Sequence, residues 1–107
     1  MIDWDRVEEL KSEVGEDDFA EVVEMFFEEV AEAIERLCGP APKTIAEDFH
    51  FIKGSALNIG LTEVSELCRS TEATLRESPG ASVDPQAIET AFRSSKAQFT
   101  SVAVPVK

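Results

Sequence analysis

The sequence predicts an all-α protein, an antiparallel up-down-up-down four-helix bundle with a short additional N-terminal helix. Apolar residues recur at steps of three and four along almost the whole chain, whereas the alternation typical of strands is scarce. Glycines and prolines interrupt this pattern at short connections, and short connections favour antiparallel neighbours. With 107 residues, of which 43 % are hydrophobic, the chain fits one domain over residues 1–107.

The first two predicted helices meet at Gly15. Asp3 is placed to cap the first helix, and Gly15 is placed to end it in the left-handed conformation of an αL C-terminal cap. The second helix is long and amphipathic, with glutamates on its outer face. The apolar faces consist of Trp4, Val7, Leu10 and Val14 in the first helix and of Phe19, Val22, Val23, Phe26, Phe27, Val30, Ile34 and Leu37 in the second.

The third helix is predicted over about residues 43–59. The Gly-Pro-Ala-Pro segment at residues 39–42 ends the helix before it, because proline does not fit a helix interior. Gly60 closes the third helix at its other end. Its apolar stripe consists of Ile45, Phe49, Ile52, Ala56 and Ile59.

Two further helices complete the predicted bundle. Thr62 is expected to cap the fourth helix, and residues 78–82 form a loop by composition. Asp84 followed by Pro85 is a start signal for the fifth helix, and residues 104–107 are expected to form a frayed tail. The positions on the inner faces are Val64, Leu67, Cys68, Thr71 and Leu75 in the fourth helix and Ile88, Ala91, Phe92, Ser95, Phe99 and Val102 in the fifth.

Charge and composition exclude several classes of partner. The formal net charge of -12 argues against nucleic acid or an anionic membrane, because both repel an acidic surface. The N-terminal residues are charged and no apolar run is long enough for a bilayer, so we expect a cytoplasmic protein. Cys38 and Cys68 lie far apart and outside any metal-ligand spacing, which predicts small core residues in a reducing compartment.

His50 is the residue whose position is unusual. At about 100° per residue, the apolar stripe of the third helix centres about 200° from His50, so the imidazole is predicted to point away from the core. This geometry disfavours a buried, hydrogen-bonded core histidine. A solvated surface histidine without further function is the plain alternative.

The neighbours of His50 favour a functional surface. Ala46, Glu47, Lys53, Gly54 and Leu57 lie within roughly 60° of it on the helical wheel. Gly54 costs about 1 kcal/mol relative to alanine in a helix interior, but it leaves room for the backbone of another protein beside the imidazole. Lys53, three residues on, is close enough to interact with a negative group attached to the ring.

This arrangement suits phosphoryl transfer through a partner. A neutral imidazole is a nucleophile at cytoplasmic pH, since the free side chain has a pKa near 6.5. The sequence contains no Gly-rich phosphate loop, metal cluster or general base for this chemistry. We therefore expect the chain to provide only the nucleophile and to bind no cofactor, while the partner supplies the transfer machinery, including Mg²⁺.

The segment His50–Gly60, HFIKGSALNIG, resembles the signature of bacterial histidine phosphotransfer (HPt) domains. That signature reads His, any residue, an aliphatic, Lys-Gly, two small residues, two variable positions, an aliphatic and Gly. The opening Asp3-Trp4 segment, Gly15 followed by acidic residues, and the Phe26-Phe27 helix are also similar to members of this family. The resemblance implies a four-helix bundle that shuttles phosphoryl groups between receiver-domain aspartates in multistep two-component relays fed by a sensor histidine kinase.

The same resemblance assigns roles by position. It implies that His50 is the phosphoacceptor through Nε2, that Lys53 is the electrostatic partner of the phosphoryl group, and that Gly54 provides access. The predicted partner-binding rim consists of Ala46, Glu47, Phe51 and Leu57. Small residues at positions 55 and 56 match close helix packing, aliphatics at 52 and 59 match core positions, and Gly60 matches the turn. Phe49 and Leu57 are bulkier than is common in the family, and Leu57 is a candidate for selecting the receiver. A monomer is the simplest expectation for a shuttle that releases each partner.

Two other interpretations remain open on the residues alone. The chain is an adaptor whose patch of Ala46, Gly54 and Leu57 binds a partner helix without phosphorylation, in which case His50 is dispensable. Alternatively, it is the phosphoacceptor fragment of a larger chemotaxis-type kinase. Intrinsic kinase activity is not expected, because no ATP-binding motif fits in the chain.

Overall fold

The protein is described by a computed structural model over residues 2–39 and 45–103. These residues form five α-helices and no strand: α1 (Trp4–Val14), α2 (Glu16–Leu37), α3 (Ile45–Ile59), α4 (Thr62–Glu77) and α5 (Pro85–Ala103). The predicted all-α class is therefore confirmed. The predicted start of the third helix at residues 43–44, the frayed tail at 104–107 and the side chain of Val102 lie outside what is described.

Two predicted N-terminal caps are confirmed. The Asp3 carboxylate accepts a hydrogen bond of 3.2 Å from the backbone N–H of Arg6 at the start of α1. The Asp84 carboxylate accepts bonds from the backbone N–H groups of Gln86 at 3.1 Å and Ala87 at 3.3 Å at the start of α5. Each carboxylate satisfies donors that a helix N-terminus leaves without a partner in the helix.

Two other helix ends differ from the prediction. Gly15 has the predicted positive φ of 89°, but its ψ of 147° lies far from the αL value. A single residue separates α1 from α2, and the extended ψ turns the chain into α2 at once. Thr62 is the first residue of α4 rather than its cap, because Leu61 occupies the cap position and is fully buried in the core.

The core lies between four helices. α2 packs against α3 and α5, α4 packs against the same two helices, and α1 packs against α2 and α3. Phe99 is fully buried at the centre of an aromatic cluster, with its ring centroid 5.4 Å from that of Phe27 and 6.3 Å from that of Phe19. Trp4 covers this cluster from α1, 5.9 Å from Phe99, and remains 38 % exposed. The apolar stripe of α3 is confirmed, because Phe49, Ile52, Ala56 and Ile59 are fully buried.

The two cysteines have different environments. Cys68 is fully buried, and this burial raises the pKa of its thiol to about 12, so it acts as a small neutral core residue as predicted. The same prediction for Cys38 is wrong, since Cys38 is exposed. It follows Leu37, the last core residue of α2, and occupies the C-cap position of that helix.

The N-terminal segment holds the turn between α3 and α4. The Asp3 N–H donates to the Gly60 carbonyl at 2.8 Å, and Arg6 Nε donates to the Asn58 carbonyl at 2.9 Å. Gly60 has a φ of 80°, and a Cβ atom there would lie 2.7 Å from the Asp3 carbonyl oxygen. Glycine is therefore required at this position by both the backbone conformation and the close approach of the N-terminal segment.

Candidate functional site

His50 lies on the outer surface of α3, as the helical wheel predicts. Its side chain is 73 % exposed, while the preceding residue, Phe49, is fully buried. The apolar stripe of α3 thus faces the core, and the imidazole is not part of it. A buried structural histidine is excluded, and the ring is accessible to another macromolecule.

Glu72 of α4 contacts both His50 and Lys53. Its Oε2 atom lies 3.2 Å from His50 Nδ1, and its Oε1 atom lies 2.9 Å from Lys53 Nζ. The Glu72 side chain is 15 % exposed and the Lys53 side chain 26 %. The sequence predicts only that Lys53 lies close to the imidazole. In the structure, Lys53 also forms an ion pair with Glu72, the carboxylate that binds the ring.

Glu72 is the site residue that the sequence analysis missed. It follows Cys68 by one helical turn and lies between Thr71 and Leu75, on the side of α4 that turns toward α3. A charged residue at this point of an otherwise inward-facing stripe was the available signal. The signal is weak because a sequence does not show which side chain of another helix lies opposite.

The charges around Glu72 determine its protonation. Burial raises the pKa of the Glu72 carboxyl, but hydrogen bonds from Lys53 and His50, with their charges, hold that pKa below its ordinary value. The group is therefore an ionised, acceptor-only carboxylate near neutral pH. Its partner atom, Nδ1 of His50, must then donate the proton in this hydrogen bond. This assignment leaves the lone pair of the neutral ring on Nε2, the nitrogen turned away from Glu72.

The space beside the imidazole is open. A Cβ atom built on Gly54 meets no other atom within 4 Å. Packing within the chain therefore does not explain the absence of a side chain at this mid-helix position. The predicted rim residues are at the surface, with Leu57 57 % exposed, Phe51 39 % exposed, and Ala46 and Glu47 also exposed.

A second ion pair holds α3 from its other side. Arg36 of α2 binds the carboxylate of Asp48 at 3.0 Å, and the Asp48 side chain is only 7 % exposed. His50 follows Asp48 by two residues. The helix that carries the imidazole is thus tied to α2 by Asp48 and to α4 by Lys53.

The described residues contain no group of three or more His, Cys, Asp or Glu side chains with the geometry of a metal site. Within residues 2–39 and 45–103, no helix is both long enough and apolar enough to cross a membrane.

Comparison with known proteins identifies one family. The family model of the Hpt domain matches residues 21–101, which is more than half of the chain and includes α3 and α4. No curated protein and no solved structure matches the chain. Hpt domains carry out histidine phosphotransfer in phosphorelays and interact with the receiver domains and kinases of two-component systems. On the evidence of this match, the chain belongs to the Hpt domain family.

Proposed function

We propose that this protein accepts a phosphoryl group on Nε2 of His50 from the aspartate of one receiver domain and passes it to the aspartate of another. The pathway is a multistep two-component phosphorelay in the cytoplasm, fed by a sensor histidine kinase. The observation that carries this proposal is an exposed imidazole whose Nδ1 atom is bound by the ionised carboxylate of Glu72.

The transfer step needs only the imidazole from this chain. The Nε2 lone pair attacks the phosphorus of the donor aspartyl phosphate, and the Nε2–P bond forms. The P–O bond to the donor breaks, and its electron pair leaves with the aspartate carboxylate. The proton stays on Nδ1, so the phosphorylated ring carries a positive charge that the Glu72 carboxylate balances at 3.2 Å.

Lys53 and the receiver both stabilise the negative charge of the transferred phosphoryl group. In the unphosphorylated protein, the ammonium group of Lys53 is balanced by Glu72 at 2.9 Å. A phosphoryl group adds about 1.5 to 2 negative charges at neutral pH, and the flexible lysine side chain interacts with both anions. Mg²⁺ and the groups that stabilise the transition state come from the receiver.

We further propose how the helices carry this site. α2, α3, α4 and α5 run alternately up and down, because each packs against its sequence neighbours and short connections join them. The receiver docks on the rim of Ala46, Glu47, Phe51 and Leu57, where Leu57 and Phe51 provide exposed apolar surface around His50. The protein acts as a monomer, and nucleic acid and membranes are not its partners because its net charge is -12.

Phosphoryl transfer with the wild type and His50→Gln tests this function. Each protein is incubated with a phosphorylated receiver and Mg²⁺, and acid-labile, base-stable label on the chain is measured. We expect label on the wild type and none on His50→Gln, with equal thermal midpoints because His50 is exposed. Absence of label on the wild type with a broad panel of receivers would favour the adaptor interpretation, in which the rim binds a partner helix without phosphorylation.

A further inference from the structure

The C-terminal end of α3 is held from α1 by Arg6. The Nε atom of Arg6 donates to the Asn58 carbonyl oxygen at 2.9 Å. The last carbonyl groups of a helix have no partner within the helix, and a cation near them is favourable because of the helix dipole. The last turn of α3 contains no basic side chain of its own. Arg6 therefore supplies, from another helix, both a donor and a charge that α3 lacks at this end.

The Arg6 side chain is oriented for this contact by α1 itself. Its Nη1 atom lies 3.0 Å from Glu9 Oε1 and 3.4 Å from Glu13 Oε2, and the side chain is only 24 % exposed. Asp3, which caps α1 by accepting from the Arg6 N–H, also donates its own N–H to the Gly60 carbonyl at 2.8 Å. The start of α1 thus binds both the last turn of α3 and the turn that follows it.

The last turn of α3 has a buried half and an exposed half. Ala56 and Ile59 are fully buried, so the core fixes the inner half. Leu57 is 57 % exposed and Asn58 is exposed as well. The bond from Arg6 reaches α3 on this exposed half, at the residue next to Leu57. The position of the Leu57 side chain therefore depends on backbone that Arg6 holds.

Two glycines make this part of α3 dependent on support from outside the helix. Glycine loses more conformational freedom on folding than any other residue, so Gly54 weakens the helix ahead of Leu57. Gly60, with a φ of 80°, ends the helix on the other side. Residues 55–59 lie between these glycines, and a helical segment this short is not stable without tertiary contacts. Arg6 provides such a contact on the side that faces solvent.

We propose that Arg6 is a positioning residue for receiver docking, because it caps α3 from α1 and so keeps Leu57 of the rim in place. This inference rests on the proposed function, in which Leu57 contacts the receiver. Asn58, to which Arg6 binds, lies about two turns beyond His50, so the chemistry at Nε2 does not depend on this bond. Loss of Arg6 should weaken docking and leave the chemistry of the imidazole unchanged.

The test compares a reaction that needs docking with one that does not. The first is transfer from a phosphorylated receiver with Mg²⁺, measured as KM and kcat. The second is phosphorylation by phosphoramidate, in which the Nε2–P bond forms, the P–N bond breaks and its electron pair leaves with ammonia. We expect Arg6→Ala to raise the KM for the receiver roughly fivefold, the scale of one hydrogen bond, without changing kcat or the phosphoramidate rate. Arg6→Lys should restore part of the affinity, because the ammonium group keeps the charge and donates hydrogen bonds.

A double-mutant cycle with Leu57→Ala separates positioning from a general loss of stability. Once Leu57 is truncated, Arg6 has no side chain left to position. Arg6→Ala should therefore raise KM in the wild-type background and leave it unchanged in the Leu57→Ala background. Lys11→Ala is the matched control, since it removes a cation of α1 that lies over the Phe19 ring, 5.6 Å from the ring centroid. It should leave KM unchanged.

Three results would overturn the inference and leave the proposed function intact. They are an equal KM in wild type and Arg6→Ala, the same increase in KM with and without Leu57, and an equal increase in Lys11→Ala. Failure of the wild type to form phosphohistidine with both phosphoramidate and phosphorylated receivers would instead overturn the proposed function. All rates are measured well below the lowest thermal midpoint among the variants, so that unfolded protein does not contribute to KM.

Discussion

The outward and inward sides of α3 carry the same kinds of residue for different reasons. A glycine serves each side: Gly54 on the outward side has open space where a Cβ would be, whereas a Cβ on Gly60, in the buried turn that directly follows α3, would lie 2.7 Å from the Asp3 carbonyl oxygen. Each side also has large aliphatic residues, since Leu57 is 57 % exposed and Ile52 is fully buried. On the outward side no neighbour within the chain limits residue size, and the proposed approach of a receiver would set the limit there. On the inward side it is limited by neighbours already present, so substitutions there should change stability rather than transfer.

The largest expected effect is at Gly54, on the outward side. Gly54→Leu should lower the rate of phosphoryl transfer from a receiver on the order of 100-fold, because the side chain occupies the approach to the imidazole. Its thermal midpoint should not fall, since leucine is a better helix former than glycine. Gly54→Ala is the control: it adds a methyl group that meets nothing within 4 Å, and it should retain transfer. Full transfer by the leucine variant would remove the reason proposed for the glycine.

Gly60→Ala tests the buried turn that follows α3. We expect it to lower the free energy of unfolding by about 1–3 kcal/mol, because alanine is strained at a φ of 80° and its Cβ meets the Asp3 carbonyl. Urea denaturation measures this loss, and transfer per folded molecule should remain close to wild type. An unchanged denaturation midpoint would show that the N-terminal segment moves away at little cost.

A smaller effect on phosphoryl transfer is expected for Glu72→Gln, in which the residue of α4 that contacts His50 and Lys53 is changed. Glutamine fills the same space but removes the charge that holds the proton on Nδ1 and pairs with Lys53. Transfer should slow roughly tenfold, well short of the loss caused when the carboxylate of a catalytic triad is replaced. Transfer kinetics with one receiver measure this rate. A wild-type rate would mean that the Glu72 carboxylate on α4 is not needed to orient the imidazole or to hold its proton.

The same variant has a pH dependence with a definite sign. The folded-state pKa of Glu72 lies below its ordinary value of 4.5, so ionised Glu72 stabilises the fold above that value. This contribution, at most about 1 kcal/mol for a pair near the surface, should be lost as pH falls through the lowered pKa. Urea denaturation of wild type and Glu72→Gln at pH 7 and pH 3 measures it. A difference that grows toward acid would contradict the assigned charge state.

Much of the fold was predictable because it follows from local patterns. The helix spacing, the caps at Asp3 and Asp84 and the buried stripe of α3 depend on residues a few positions apart. The errors lie where other segments intervene. Leu61 rather than Thr62 occupies the cap of α4 because Leu61 is buried in the core, and Cys38 is exposed at the C-cap position of α2.

The residues alone were enough to predict the helical class, the outward direction of His50 and the position of Gly54 beside it. These conclusions need only the angle between successive residues on one helix. The contact of Glu72 with His50 and Lys53 depends on how α4 packs against α3. A helical wheel gives directions within one helix, but not which helix lies beside it or at what height. The carboxylate that holds the proton on Nδ1 and the proposed phosphoacceptor Nε2 belong to different helices, so the site is complete only once α3 and α4 are packed together.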